Sequence, residues 1–408
     1  MAGLNETPRG NRIHIAFFGL RNAGKSTLVN AFTGQRIAIV SDVPGTTTDP
    51  VSKAMEILPL GPCLVTDTAG LDDEGELGGM RVKKTLDVLA ATDIAVWVRG
   101  GGIPTTDSTD FRELFLSECR KRRVTVLEYK RGEDVEELKR KIAAVKLEDR
   151  VPGLLDGLVK KGDHVLCVVP IDESAPKGRL ILPQQQVIRE CLDRHVAVTV
   201  CQPEELVTLF DGSEWSIGEL CGRGGRLLVV TDSQAFGKVN EWAKRWKQAI
   251  EQSNNPNNRT IRLTSFSILF ARQKGDLQEY VKGLASIKSL KDGDTVLVAE
   301  GCTHHRQCND IGSVKIPKAL EKLSGRKLKF EFASGASFPI EQTDNRTIEQ
   351  FALVVHCGGC MLTRREMLRR IALARETGVP IVNYGLVLAQ ASGTDVENLM
   401  FAELTANS

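Results

Sequence analysis

The stretch "IHIAFFGLRNAGKSTLVNAF", residues 13–32, decides the fold. An apolar run leads into a glycine-rich turn, and a helical pattern follows it. Gly19 to Ser26 fits G-x-x-x-x-G-K-S. Between a strand and a helix, such glycines let backbone N–H groups wrap phosphate oxygens. Lys25 then reaches the terminal phosphates and Ser26 offers its hydroxyl to Mg²⁺. Gly19, Asn22, Ala23, Gly24, Lys25, Ser26 and Thr27 are the candidate phosphate-binding residues.

Outward from this cradle, strand and helix patterns keep alternating. "CLVTDTAG" (63–70), "DIAVWVRG" (93–100) and "VTVLEY" (124–129) read as strands. "GMRVKKTLDVLAA" (79–91), "STDFRELFLSECRKR" (108–122) and "GEDVEELKRKIAAVK" (132–146) read as helices. This alternation predicts a mostly parallel, doubly wound α/β sheet, assigned to residues 1–155. A second, smaller α/β domain over 156–254 has strands "HVLCVVPI", "VAVTVCQ" and "RLLVVTD" and a helix opened by Pro183. Its apolar strands need covering, which suits docking or self-association. "SNNPNNRT" (253–260), rich in turn formers, is the linker candidate. A third α/β domain, 255–408, follows with "TVLVAEG", "FALVVHCGG" and "VPIVNYG" as strands.

Composition narrows the function. The chain of 408 residues has a formal net charge of only +2, so no nucleic-acid partner is expected from bulk charge. No run approaches the roughly 18 apolar residues that span a bilayer. The first residues, "MAGLNETPRGNR", lack the apolar core of a signal peptide, so no membrane and a cytoplasmic location are expected. Of ten cysteines, Cys63, Cys119, Cys167, Cys191, Cys201 and Cys221 are scattered, several in apolar runs that suit a small buried hydrophobe.

Two further pieces accompany the cradle. "PGTTTD" (44–49) supplies Thr46 and Thr47, which can close over a γ-phosphate and its metal, with Thr47 the preferred Mg²⁺ partner. "DTAG" supplies Asp67 as a Walker-B-type carboxylate and Gly70 as a γ-phosphate sensor. With Asn22 and with Leu71 directly after "DTAG", these motifs resemble the TrmE/Era-like GTPases. The resemblance implies GTP as ligand, a K⁺ ion held with the help of Asn22, and slow, potassium-stimulated hydrolysis suited to a switch. The guanine-reading motif N-K-x-D of that group should follow "VTVLEY", where Tyr129, Lys130, Arg131 and Gly132 stand. The lysine fits and the carboxylate does not. The domain reads as abbreviated, because the later strand with its serine–alanine loop is not evident.

The remaining four cysteines and half of the six histidines gather in "AEGCTHHRQCNDIG" (299–312) and "ALVVHCGGCML" (352–362). Cys302 and His304 follow one predicted strand, and His356, Cys357 and Cys360 end or follow another. If the strands are parallel neighbours, both sets emerge on one edge of the sheet, where α/β folds carry function. The glycines of "HCGGC" and the helix starting near Thr363 favour thiolates. Three cysteines and a histidine suit structural zinc, while three cysteines with a replaceable fourth ligand suit a [4Fe–4S] cluster; spacing leaves both open, along with a purely structural grouping. Cys308 is either a fourth thiolate or lies on the next turn, and His305 reads as a neighbour rather than a ligand.

Behind a TrmE/Era-like domain, C-x-H followed about fifty residues later by H-C-x-x-C resembles the HydF family of [FeFe]-hydrogenase maturation GTPases. "VVPIDESAPKGRLILPQQQVIRE" resembles its central dimerisation domain. "CTHHRQCNDIGSVKIPKAL" and "VHCGGCMLTRREMLRRI" resemble its cluster-binding domain. The resemblance implies a homodimer with a [4Fe–4S] cluster on Cys302, Cys357 and Cys360, the fourth position falling to His304, His356, water or another side chain. It further implies a transient diiron precursor, made with the radical-SAM maturases HydE and HydG and passed to [FeFe]-hydrogenase. The rival is a zinc-stabilised TrmE/Era-like GTPase of RNA or ribosome maturation.

Overall fold

The computed structural model describes residues 7, 9–34, 51–69, 85, 88–100, 106–147, 151–171, 180–206, 226–233, 235–252, 261–301, 310–334, 338 and 347–394. They form two compact units, 1–150 and 151–408.

In the first unit, β1 (Ile13–Phe18), β2 (Val51–Ile57), β3 (Gly61–Asp67), β4 (Ile94–Arg99) and β5 (Thr125–Lys130) make one sheet ordered β2-β3-β1-β4-β5. β2 and β3 are an antiparallel hairpin, and every other pairing is parallel. Strand periodicity sends alternate residues of β1 to opposite faces. Ile15 and Phe17 join a core with Val29 and Phe32 of α1 (Lys25–Thr33) and Ile142 of α3 (Val135–Ala143). Ala16 and Phe18 join another with Phe115 and Cys119 of α2 (Thr106–Lys121). The doubly wound sheet expected here is present. The expectation missed β2, whose residues alternate between half-buried and exposed and so carry a weak apolar signal. No strand follows β5 in this sheet among the described residues.

The second unit contains two four-stranded, all-parallel sheets. The first is ordered β7-β6-β8-β9, from β6 (His164–Val168), β7 (Ala197–Cys201), β8 (Leu227–Thr231) and β9 (Ile261–Ser265). Helices α4 (Leu182–Asp193) and α5 (Phe236–Gln252) join its strands. The second is ordered β11-β10-β12-β13, from β10 (Thr295–Glu300), β11 (Lys329–Ser334), β12 (Leu353–His356) and β13 (Ile381–Asn383). Between the sheets in sequence lie α6 (Phe266–Lys274) and α7 (Leu277–Ser286); α8 (Ile316–Ser324), α9 (Arg364–Glu376) and α10 (Tyr384–Ala391) follow. Helix α6 is buried at seven of nine positions and packs on α4, α9 and α10, so both sheets share one core. Such a helix has almost no solvent face, although Gln273 and Lys274 are among its buried residues.

Two boundaries shift. Residues 253–260, taken as a linker, lie outside the described residues, but β9 beyond them completes the central sheet by pairing with β8. The central domain therefore continues past 254. The first boundary, placed at 155, falls inside the second unit. There the Leu154 and Leu155 N–H groups donate to the Glu190 carboxylate of α4 at 2.6 and 3.0 Å.

Candidate phosphate and cluster sites

The cradle is built by close packing at the C-terminal end of β1. A side chain on Gly19 would meet the Val98 carbonyl at 2.6 Å, so only glycine brings the loop so near β4. Asn22 has φ 59° and Gly24 has φ 94°, and this left-handed geometry turns the chain into α1. The buried Lys25 donates through Nζ to the carbonyls of Gly19 (3.1 Å) and Leu20 (2.8 Å). Ala23 is buried and Thr27 exposed.

β3 pairs with β1 so that Asp67 stands opposite Phe17, beside the cradle. Ser26 Oγ donates to Asp67 Oδ2 at 2.6 Å. Asp67 is fully buried and its Oδ1 has no hydrogen-bond partner among the described residues. Burial pushes its carboxyl up, against the Ser26 bond and the charge of Lys25. A buried carboxylate oxygen without a partner is costly, and a hard cation beside a serine hydroxyl satisfies it. The pair Ser26–Asp67 thus fits Mg²⁺. Thr46, Thr47, Gly70 and Leu71 lie outside the described residues.

At the end of β5, Tyr129 belongs to the core, and its hydroxyl donates to the Glu133 carbonyl at 2.8 Å. The Arg131 stem lies over the cradle: its Cδ is 3.8 Å from where a Gly24 Cβ would stand. Glu133 accepts from the Lys130 N–H at 3.0 Å, and Asp134 caps α3 through the Glu136 N–H.

The cysteine loop sits at the corresponding edge of the last sheet. β10 and β12 are adjacent and parallel, with Ala299 opposite His356. Both chain ends therefore leave the sheet together. The Gly301 N–H donates to Cys357 Sγ at 3.1 Å, and the Gly359 N–H reaches the same sulfur at 3.4 Å. Gly359 has φ 65°, and a Cβ there would lie 2.3 Å from the Met367 methyl. Burial pushes the Cys357 thiol up to about 11, with the two N–H bonds opposing it. Metal coordination removes that proton outright. Thr363 caps α9 by accepting the Glu366 N–H, so the helix N-terminus begins directly after this loop. Two N–H groups on one sulfur, two thiols in one short loop and a helix N-terminus fit an anionic thiolate-bound group. Cys302, His304, His305 and Cys308 lie outside the described residues, and no three metal-ligating side chains cluster among the described ones.

His356 is not placed to be a fourth ligand. Its ring is fully buried: Nδ1 donates to the Cys357 carbonyl at 2.9 Å, and Nε2 accepts from Arg370 at 3.0 Å. Burial and the Arg370 charge hold its pKa down at about 3, so the ring is neutral with both nitrogens engaged. Arg370 is held in turn by Glu366 at 2.9 Å and lies over the Phe338 ring. Five of the six scattered cysteines are buried in the cores, as expected, and Cys221 lies outside the described residues.

Sequence reading passed over Lys274. It is 1% exposed, and its ammonium donates to the carbonyls of Gly359 (3.2 Å), Cys360 (2.9 Å) and Leu362 (2.7 Å). In "LFARQKGD" a lysine before a glycine reads as an ordinary basic helix end. No local signal reveals what it meets.

Comparison with known proteins agrees with this layout. Residues 14–129 match the 50S ribosome-binding GTPase family. Residues 154–275 match the Hydrogen maturase F dimerization domain, and 278–399 its tetramerization domain. GTPase Der of Campylobacter hominis is 38% identical over 103 residues, 25% of this chain and 22% of its own. The tRNA modification GTPase MnmE of Endomicrobium trichonymphae is 38% identical over 88 residues, 21% of this chain and 19% of its own. GTPase Der of Xylella fastidiosa is 44% identical over 100 residues, 24% of this chain and 21% of its own. The chain thus spans about a fifth of the length of these curated relatives. A crystal structure of an Aquifex aeolicus Era variant covers 57% of this chain and 97% of its own at 16% identity, with a TM-score of 0.23, too low to carry an argument.

Fold and cradle define a P-loop GTPase domain joined to two α/β domains of an oligomerizing protein. The chain belongs to the Hydrogen maturase F family, whose members pair a TrmE/Era-like GTPase domain with dimerization and tetramerization domains. No helix among the described residues is long and apolar enough to cross a membrane.

Proposed function

We propose that this chain is a scaffold and carrier in [FeFe]-hydrogenase maturation, working in the cytoplasm as at least a homodimer. Cys302, Cys357 and Cys360 hold a [4Fe–4S] cluster. An iron whose fourth ligand is exchangeable offers an attachment point for a diiron precursor built with HydE and HydG, destined for apo-hydrogenase. The observation that supports this most is the Gly301 N–H on Cys357 Sγ, because Gly301 immediately precedes Cys302. β10 and β12 end side by side at that edge of the last sheet, which supports the reading.

The nucleotide domain acts as a switch. Lys25 and the cradle hold the phosphates of GTP. Ser26 and Asp67, with Thr47 closing over them, hold Mg²⁺, and Gly70 senses the γ-phosphate. Asn22 assists a K⁺ ion that stimulates slow hydrolysis. A nucleotide shifts the protein between states only through unequal binding to them. At the base end, the core position of Tyr129 and the Arg131 stem over Gly24 favour a register one residue later than the motif suggests. Lys130, Arg131 and Glu133 then stand where N-K-x-D would, and Glu133 supplies the carboxylate.

Metal analysis separates this reading from the zinc-stabilised RNA or ribosome GTPase. The anaerobically purified full chain should be brown, with iron and sulfide in equal amounts. A colourless protein with stoichiometric zinc contradicts the proposal. Delivery is tested with purified, precursor-loaded protein. Lys25→Ala should weaken GTP binding and slow hydrogenase activation; unchanged activation removes the switch from delivery.

A further inference from the structure

Lys274 ends α6, a helix of the central sheet's domain, yet its side chain enters the loop that carries Cys357 and Cys360. Its three N–H donors meet three carbonyls, which satisfies the ammonium's hydrogen bonds. They do not neutralise its charge. Burying an ammonium costs several kcal/mol unless an anion accompanies it, on the order of the penalty for any buried ion. Among the described residues Lys274 has no carboxylate partner, and the three carbonyls it holds belong to the loop that carries Cys357 and Cys360. An anionic group held by those two sulfurs is the counter-charge that this loop can supply.

The carbonyl bonds also orient the loop. In a trans peptide each carbonyl points opposite to the N–H of the next residue. With the Gly359 and Cys360 carbonyls turned toward Lys274, the Cys360 and Met361 N–H groups point away from it. A second tie runs the other way across the same junction, because the Arg364 guanidinium at the start of α9 donates to the Gln273 carbonyl. The C-terminal half of the cysteine loop and the start of α9 are thus fastened to the end of α6.

We propose that Lys274 is the positioning residue and buried counter-charge of the cluster site, holding the Cys357–Leu362 loop by three carbonyls and balancing the anionic group on its sulfurs. This rests on reading Cys302, Cys357 and Cys360 as cluster ligands. A cation fixed beside the cluster favours its reduced, more negative form and so raises its reduction potential.

The test uses the full chain reconstituted anaerobically with iron and sulfide, as wild type and as Lys274→Met, Lys274→Gln and Lys274→Arg. Iron content, thermal melting and dye-mediated redox titration followed by EPR are measured on each. The Met and Gln variants should shift the reduced-to-oxidised ratio at fixed potential about tenfold toward oxidised, about 59 mV for one electron. Lys274→Arg should recover most of that shift. Gln keeps donors without charge, so a Gln variant that melts near wild type but titrates like Met assigns the effect to charge. Potentials and EPR spectra equal to wild type in Met and Gln overturn the proposal, as does failure of all three variants to fold, which makes the side chain structural only. If wild type itself takes up no iron, the cluster reading fails first, and that outcome is distinct from the others.

Discussion

On the register proposed above, Glu133 just after β5 is the carboxylate that meets the nucleobase. Guanine donates two N–H bonds to such a group, and bonds to a charged acceptor are each worth about 1.5–3 kcal/mol. Glu133→Gln should therefore weaken GTP binding about 10- to 100-fold and improve binding of xanthosine triphosphate, which offers an oxygen where guanine offers an amine. Titration of both nucleotides against both proteins checks this; unchanged GTP affinity removes Glu133 from the base site. At this scale the sequence was legible where backbone geometry demands a residue type. Gly19 and Gly24 occupy backbone positions that call for glycine. It was less legible where only burial decides. His356 follows an apolar strand and precedes two cysteines, so it reads as a ligand, and nothing nearby shows that Arg370, fourteen residues on, takes its other nitrogen.

Elements carry the cluster site more than single residues do. The parallel pairing of β10 with β12 was legible only as a condition, from two apolar strands about fifty residues apart, and β11, which follows α8 and pairs with the other side of β10, was not read from the sequence. Nor was the extent of the central sheet, since the polar stretch 253–260 masks the fact that β9 belongs with β8. The loop after β12 depends on Gly359 for its left-handed turn and for room beside Met367. Gly359→Ala should cost about 1–2 kcal/mol for the backbone alone and lower the iron retained after reconstitution. Thermal melting and iron assay together measure both effects. A variant that melts and binds iron like wild type contradicts the geometry assigned to this turn.

On the scale of the whole molecule, stability is coupled to pH through the Asp163–Arg226 pair of the second unit. Asp163 is nearly inaccessible. Burial raises its pKa, but the Arg226 and Lys160 N–H groups and the Arg226 guanidinium outweigh burial and hold the carboxyl below its ordinary value. A carboxyl depressed on folding stabilises the protein above its unfolded pKa, and that contribution is lost as pH falls through the folded value. Asp163→Asn should cost about 1–3 kcal/mol near neutral pH, and the gap from wild type should narrow below about pH 4. Denaturant melts at several pH values check this, and a gap independent of pH contradicts it. The dimerization and tetramerization matches place self-association in this same unit.

On this proposal Cys302, outside the described residues, completes a metal site with Cys357 and Cys360. Iron and sulfide analysis with EPR of the reduced, reconstituted full chain tests it most directly, comparing wild type with Cys302→Ala, Cys357→Ala and Cys119→Ala. A [4Fe–4S] signal is expected in wild type and in the Cys119 variant, whose thiol is buried in the first unit, with loss or conversion of that signal in the other two. A Cys302→Ala protein with full iron and an unchanged spectrum contradicts it.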